Sequence, residues 1–262
     1  MPRSRTRIRL AAALVVAALV LAACAGDDDP AGGTSGAGSP AGITVFAAAS
    51  LTAAFNELGQ RFTAANGTKV TFNYAGSQAL GNQIRQAAPA DVFASADVPN
   101  MEKVEDLVGR PQVFASNLLQ IVVEKGNPKG IERLADLAGG DLKVVLAAEE
   151  VPAGKYARQV LDRAGVSVQP VSLEDNVKAV LTKVSLGEAD AGIVYVTDVS
   201  AGGDRIEGVD IPTEANVVAT YPIATVKAGG NQRQAQAFVN LVLSDRGQRV
   251  LGQHGFLPPP TS

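Results

Sequence analysis

From Ile43 onward, apolar positions switch repeatedly between two periods. Ile43-Thr44-Val45-Phe46 predicts a strand, and Leu51, Ala54, Phe55, Leu58 and Phe62 then recur at helical spacing. Lys69 to Tyr74 alternates like a strand, Leu80, Ile84 and Ala87 share one helix face, and Asp91 to Ala94 is a third short strand. Val113-Phe114 and Leu118 to Val123 are extended and rich in β-formers, and Leu142 to Leu146 reads as a buried strand. Gly154 to Ala164 is helical with Tyr156, Val160 and Leu161 on its apolar face, and Val177, Val180, Leu181 and Val184 mark another helix. Ala191 to Val196 is a strand, and Val217 to Val226 is extended again, interrupted by Pro222. Gln234 to Leu251 gives one long helical pattern. Strands alternating with helices predict an α/β fold with mixed, mostly parallel sheets.

The stretch from Ile43 to Pro258 is long for one open sheet, so two lobes are expected. The extended stretches near Phe114–Leu119 and Thr220–Ile223 are the expected crossings. They place lobe I at 43–116 plus 222–262 and lobe II at 117–221. No internal repeat has a fixed period.

The N-terminal pattern differs. Arg3, Arg5, Arg7 and Arg9 precede an apolar run from Leu10 to Ala23, too short to span a bilayer comfortably. The run ends in Leu21-Ala22-Ala23-Cys24, which resembles a bacterial lipobox, whose Cys is lipidated and becomes the first mature residue. Residues 1–23 are therefore expected to be a lipoprotein signal peptide. The Gly/Ala/Ser/Pro/Asp-rich stretch over 24–42 is expected to be a flexible tether. The folded body would then be extracytoplasmic and anchored to the cell membrane through Cys24.

Composition narrows the chemistry. Lys+Arg 23 against Asp+Glu 26 leaves no basic excess for nucleic acid. Loss of residues 1–23 removes four arginines and no acid, making the remainder more acidic still. One Cys forbids an intramolecular disulfide, and one His forbids a multi-His metal site. No cofactor is expected. With no Trp, a platform of stacked rings is poorly supplied.

The candidate chemistry lies at four strand-to-helix junctions: Ala47-Ala48-Ala49-Ser50, Ala75-Gly76-Ser77, Val151-Pro152-Ala153-Gly154 and Glu174-Asp175-Asn176-Val177. A helix start exposes amides without intrahelical acceptors and carries partial positive charge. Small residues admit a ligand close to the backbone, and Ser hydroxyls can donate as well. Two junctions per lobe, facing across a cleft, would cage an oxyanion with neutral donors. Ser50 and Ser77 also sit where helix N-caps belong, and a Ser there is ordinarily structural. The residues alone reach no further than an anion-site candidate.

Read in order, these segments resemble the molybdate-binding proteins of bacterial ABC importers. The resemblance is carried by Phe46-Ala47-Ala48-Ala49-Ser50-Leu51, Gly76-Ser77, Ala90 to Asp97, Gly126-Asn127-Pro128, Val151 to Gly154, Gly192 to Asp198 and Gly255-Phe256. It implies a two-lobed periplasmic-binding fold (type II) that captures molybdate, and tungstate with it, for delivery to a membrane permease whose partner ATPase supplies the energy. It also implies donors: hydroxyl and amide of Ser50 and Ser77, the amides of Ala153 and Val177, and the phenol of Tyr195. A monomer is implied as well. The sequence departs from the family at Gln78, where a second small hydroxyl residue is common. The stretch around Asn176-Val177 matches less sharply.

Three other readings remain at this stage. One is an adhesive or purely structural lipoprotein, and one is a binder of sulfate, phosphate or another oxyanion. The third is a serine-dependent surface hydrolase, although no G-x-S-x-G elbow is present and His254 stands apart from any nucleophile motif.

Overall fold

Period-2 alternation in the first strand, Ile43–Ala48 (β1), buries both of its faces: Val45 and Ala47 enter one apolar cluster and Phe46 another. Such a strand is expected at the centre of a layered α/β unit. The computed structural model describes residues 42–260, so the signal peptide, Cys24 and the tether up to residue 41 lie outside the described residues.

The remaining strands are β2 (Val70–Ala75), β3 (Val92–Ala94), β4 (Gln112–Asn117), β5 (Leu119–Glu124), β6 (Val144–Ala147), β7 (Ser172–Glu174), β8 (Ala191–Tyr195), β9 (Ile206–Asp210) and β10 (Ala219–Thr225). The helices are α1 (Thr52–Asn66), α2 (Ser77–Arg85), α3 (Val98–Glu102), α4 (Pro152–Arg163), α5 (Val177–Ser185), α6 (Val196–Ser200), α7 (Gln232–Leu243) and α8 (Asp245–Gln253). A 3-10 turn, Ala49–Leu51, leads into α1. Two five-stranded sheets result, ordered β2-β1-β3-β10-β4 and β7-β6-β8-β5-β9. In the first, β1 pairs in parallel with β2 and β3, while β10 runs antiparallel to β3 and β4. In the second, β6 pairs in parallel with β7 and β8, while β5 runs antiparallel to β8 and β9. Four strands of each sheet thus point one way and one opposes them, which is the mixed, mostly parallel arrangement expected.

The chain passes from the first sheet to the second through Leu118 alone, between β4 and β5. It returns between β9 and β10. The buried Asn216 binds the two passages together: its Oδ1 accepts from Leu119 N at 3.1 Å, and its Nδ2 donates to Leu119 O at 2.8 Å. The sequence boundary at 222 falls inside β10, whose first three residues already belong to the first sheet, as does Asn117 in β4. Pro222 reads as an interruption because it lacks an amide donor. The strand accommodates it with a register shift between Tyr221 and Pro222, and Pro222 O still accepts from Ser95 N at 2.9 Å.

Two elements follow patterns the periodicity hides. β7 is an edge strand whose one apolar residue, Leu173, is exposed, as is Val171 just before it. The long C-terminal helical pattern breaks at Ser244, whose hydroxyl caps Gly247 N at 3.2 Å and starts α8. The first sheet packs against α1 and α7, on which α8 rests, and Phe55 and Phe62 of α1 each meet Phe238 of α7 edge to face. Among the described residues no helix is long and apolar enough to cross a membrane.

Candidate functional site

The carboxyl ends of β1, β2 and β6 each hand over to a helix, and α5 begins just beyond the end of β7. The four helix starts meet around a small cavity with about 10 Å³ of free volume. From the first sheet it is lined by Ala48-Ala49-Ser50, Ala75-Gly76-Ser77 and Ala96; from the second, by Val151-Pro152-Ala153, Asn176-Val177 and Tyr195. All five sequence-nominated residues, Ser50, Ser77, Ala153, Val177 and Tyr195, therefore lie on one cavity. No lining side chain carries a formal charge.

Each helix start leaves amides free of intrahelical acceptors. In α2 the first helical bonds, from Ala79 and Leu80, both end on Gly76 O, so the Ser77 amide is left over. In α4 the first such bond runs from Lys155 N to Val151 O, and Pro152 has no N–H, which makes Ala153 the first available donor. In α5 the Asn176 side chain caps Ala179 N at 3.0 Å, and Val177, the first helical residue and part of the cavity lining, has an amide with no intrahelical acceptor. Gly154 lets α4 sit down on the end of β6: a Cβ there would lie 2.0 Å from Ala148 O and 2.3 Å from Ala147 O.

Neither serine is a cap, contrary to the sequence expectation. The residues at the cap positions are Ala48 for the 3-10 turn, Leu51 for α1 and Gly76 for α2. Ser77 Oγ accepts from Ala96 N at 2.9 Å, so its own hydroxyl proton is left to donate elsewhere. Ser50 Oγ lies 3.1 Å from the Tyr221 hydroxyl. Tyr221 belongs to β10 and went unnoticed in the sequence because only strand pairing brings it beside Ser50. Ala96 lay inside the family-like motif, but its amide contact depends on tertiary packing.

Tyr195 ends β8 with 1% of its surface exposed, and its hydroxyl is buried without a hydrogen-bond partner. A buried phenol left unpaired is unfavourable by ~1–3 kcal/mol. Burial, reinforced by Tyr221, Tyr156, Asp198 and Asp97, pushes its ionisation well above the usual tyrosine value. It therefore remains a neutral donor. Below it, Tyr195 N donates to Asp198 Oδ2 at 3.3 Å, and Asp198 Oδ1 is 3.1 Å from Lys178 Nζ in the first turn of α5. Burial raises the Asp198 carboxyl against the pull of Lys178. This pair ties the end of β8 to the start of α5.

The geometry speaks to the hydrolase alternative. His254 Nε2 lies 2.9 Å from Glu57 Oε2, and the hydrogen-bond partners of Ser50 and Ser77 are a phenol and an amide, neither of them a general base. Among the described residues no cluster of three His, Cys, Asp or Glu side chains could hold a metal ion. With about 10 Å³ of free volume the cavity is far below the roughly 300–1,000 Å³ typical of sites for drug-sized ligands. Its uncharged donors suit a small anion.

Comparison with known proteins gives the same picture. The profile of a family described as bacterial extracellular solute-binding protein matches residues 43–257. The molybdate-binding protein ModA of Mycobacterium tuberculosis (strain ATCC 25618 / H37Rv) is 44% identical over 234 residues, covering 88% of this chain and 88% of that protein. The substrate-binding domain of a putative molybdenum ABC transporter from Clostridium difficile is 28% identical with a TM-score of 0.63, covering 84% of this chain and 100% of that one. The periplasmic molybdate-binding protein of Azotobacter vinelandii superposes with a TM-score of 0.72 at 19% identity, covering 83% of this chain and 100% of that one, and shows the shared fold.

Proposed function

The chain belongs to the bacterial extracellular solute-binding protein family, and from that premise we propose that it captures molybdate between its two sheets and delivers it to an ABC importer. The observation that carries this reading is the Tyr195 hydroxyl, buried without a partner in an uncharged cavity ringed by helix N-termini. Ser50 and Ser77 would donate hydroxyl and amide from one side, and Ala153, Val177 and Tyr195 from the other. A hydrogen bond to a charged partner contributes ~1.5–3 kcal/mol. Five to seven of them sum to roughly 8–20 kcal/mol before closure and immobilisation are subtracted, which reaches sub-micromolar affinity without any cation.

Size and protonation favour molybdate over the smaller oxyanions. Donors spaced for longer metal–oxygen bonds cannot all reach sulfate or phosphate, and each unfilled donor is unfavourable by ~1–3 kcal/mol. Phosphate also brings a proton, for which an all-donor cage has no acceptor. Tungstate, nearly the same size as molybdate, should bind too. The reading includes lipidation at Cys24, docking as a monomer on a membrane permease, no cofactor and no turnover. Closure on the anion is the signal that a permease can read, because only the closed state engages both donor sets.

Thermal melting with molybdate, tungstate, sulfate and phosphate tests this. Ligand at a hundredfold excess over Kd stabilises by ~2.7 kcal/mol, so molybdate and tungstate should raise Tm by several degrees and sulfate and phosphate much less. A larger shift with sulfate or phosphate would overturn the assignment. Turnover of an activated ester would favour the hydrolase reading.

A further inference from the structure

Gln78 does not line the cavity. It spans the gap between the two helix starts that flank it. Gln78 is the second residue of α2, on the first-sheet side, and its Nε2 donates to the main-chain oxygen of Asp175 at 3.1 Å. Asp175 lies on the second-sheet side, immediately before the Asn176 cap and Val177. Its carboxylate is held by Asn176 Nδ2 at 2.8 Å, so the Gln78 contact falls on a segment already braced. The other end of the amide, Oε1, is sealed from solvent without a partner of its own.

A second observation concerns Gly76. Its φ of −62° and ψ of 140° suit any residue, so backbone freedom is not what requires glycine. Space is. A Cβ at position 76 would stand 2.6 Å from Asp175 O and 2.4 Å from Gln78 Oε1. The two sides thus approach so closely here that glycine makes the room and glutamine uses it.

We propose that Gln78 is a cross-cleft latch: its side chain fastens the start of α2 to the segment before α5 and slows the parting of the two sides. Escape of a bound anion requires that parting, so the kinetic consequence rests on the oxyanion-binding reading above; the mechanical one does not. A latch formed only after the sides meet acts on release and not on capture.

The test compares wild type with Gln78→Leu, which keeps the bulk and loses the donor. Stopped-flow kinetics with molybdate should show dissociation about five- to tenfold faster, in line with loss of one hydrogen bond, and association within about twofold. Hydrogen exchange of ligand-free full-length protein should show faster exchange at residues 174–179, across the cleft from the substitution. Gly76→Ala should accelerate both, because its methyl holds the sides apart. Unchanged dissociation in Gln78→Leu, or unchanged exchange at 174–179, would overturn the latch. If wild type binds none of the oxyanions, the functional reading fails, and exchange at 174–179 then decides the latch by itself.

Discussion

On the first-sheet side of the cavity, both hydroxyls already have protein partners. Ser77 Oγ accepts from Ala96 N, and Ser50 Oγ is paired with the Tyr221 hydroxyl. On the second-sheet side, the one polar side-chain group implied as a donor, the Tyr195 phenol, has none. The first side is oriented in advance: its serines are held by contacts that persist without ligand. The second side keeps an unsatisfied donor that only a ligand or water can fill. One side sets geometry, and the other favours closure only on a ligand that satisfies its donor.

That contrast predicts opposite signs for two hydroxyl deletions. Tyr195→Phe removes a donor to the anion and should weaken molybdate binding by ~1.5–3 kcal/mol, about ten- to a hundredfold. It also deletes an unpaired buried hydroxyl, so the ligand-free protein should melt higher. Ser50→Ala should weaken binding by ~1–3 kcal/mol and take one of two side-chain partners from the Tyr221 hydroxyl, leaving Asn117, so the ligand-free protein should melt lower. Calorimetric titration paired with melting curves separates them. Ligand-free Tm values moving in the same direction would erase the distinction between the two sides.

The second side can be probed further through its backbone donors. Pro is well tolerated at the first position of a helix, as Pro152 already shows in α4. Val177 holds the equivalent place in α5, and Asn176 before it has φ −159° and ψ 165°, compatible with a following proline. Val177→Pro should leave α5 folded and remove one amide donor, weakening molybdate binding about tenfold, at the lower end of ~1.5–3 kcal/mol. Val177→Ala keeps the amide and should shift affinity less than twofold, although loss of buried methyl groups should lower stability by on the order of 1 kcal/mol. Equal affinities for the two variants would remove the Val177 amide from the cage.

Much of this arrangement was legible because helix starts write themselves into local sequence. Small residues before an apolar helical period mark where amides are exposed, and that signal found the four junctions that hold Ser50, Ser77, Ala153 and Val177, while the resemblance implied which of their groups donate. Tyr195 came only through resemblance, since nothing local distinguishes a strand-end tyrosine that packs from one that waits for a ligand. Tyr221, the Ala96 amide and the Gln78–Asp175 contact were out of reach for a different reason: each joins residues 19 to 171 positions apart. β7 is hidden because a three-residue edge strand with Leu173 outward, and Val171 exposed before it, inverts the usual hydrophobic alternation.

The smallest expected effect concerns pH and bears on whether the unsatisfied phenol is truly sealed. An ordinary tyrosine is half ionised near pH 10. Ionisation of Tyr195 would replace a donor with a negative charge facing a dianion, so an exposed phenol would make affinity fall through that pH. Burial instead raises Tyr195 well above it, and burial likewise raises Tyr74, Tyr221 and Tyr156, the last to about 12. Molybdate affinity should therefore stay flat from pH 7 to about 10, within about twofold. Folding stability should behave differently. Above about pH 10 the unfolded chain's tyrosines release protons while the folded ones keep theirs, so stability declines as pH rises. A binding isotherm series and a denaturation series over the same pH range read the two separately. Affinity falling with a midpoint near 10 while stability held would mean that Tyr195 meets solvent, and the difference between the two sides of the cavity would then be one of residue type alone.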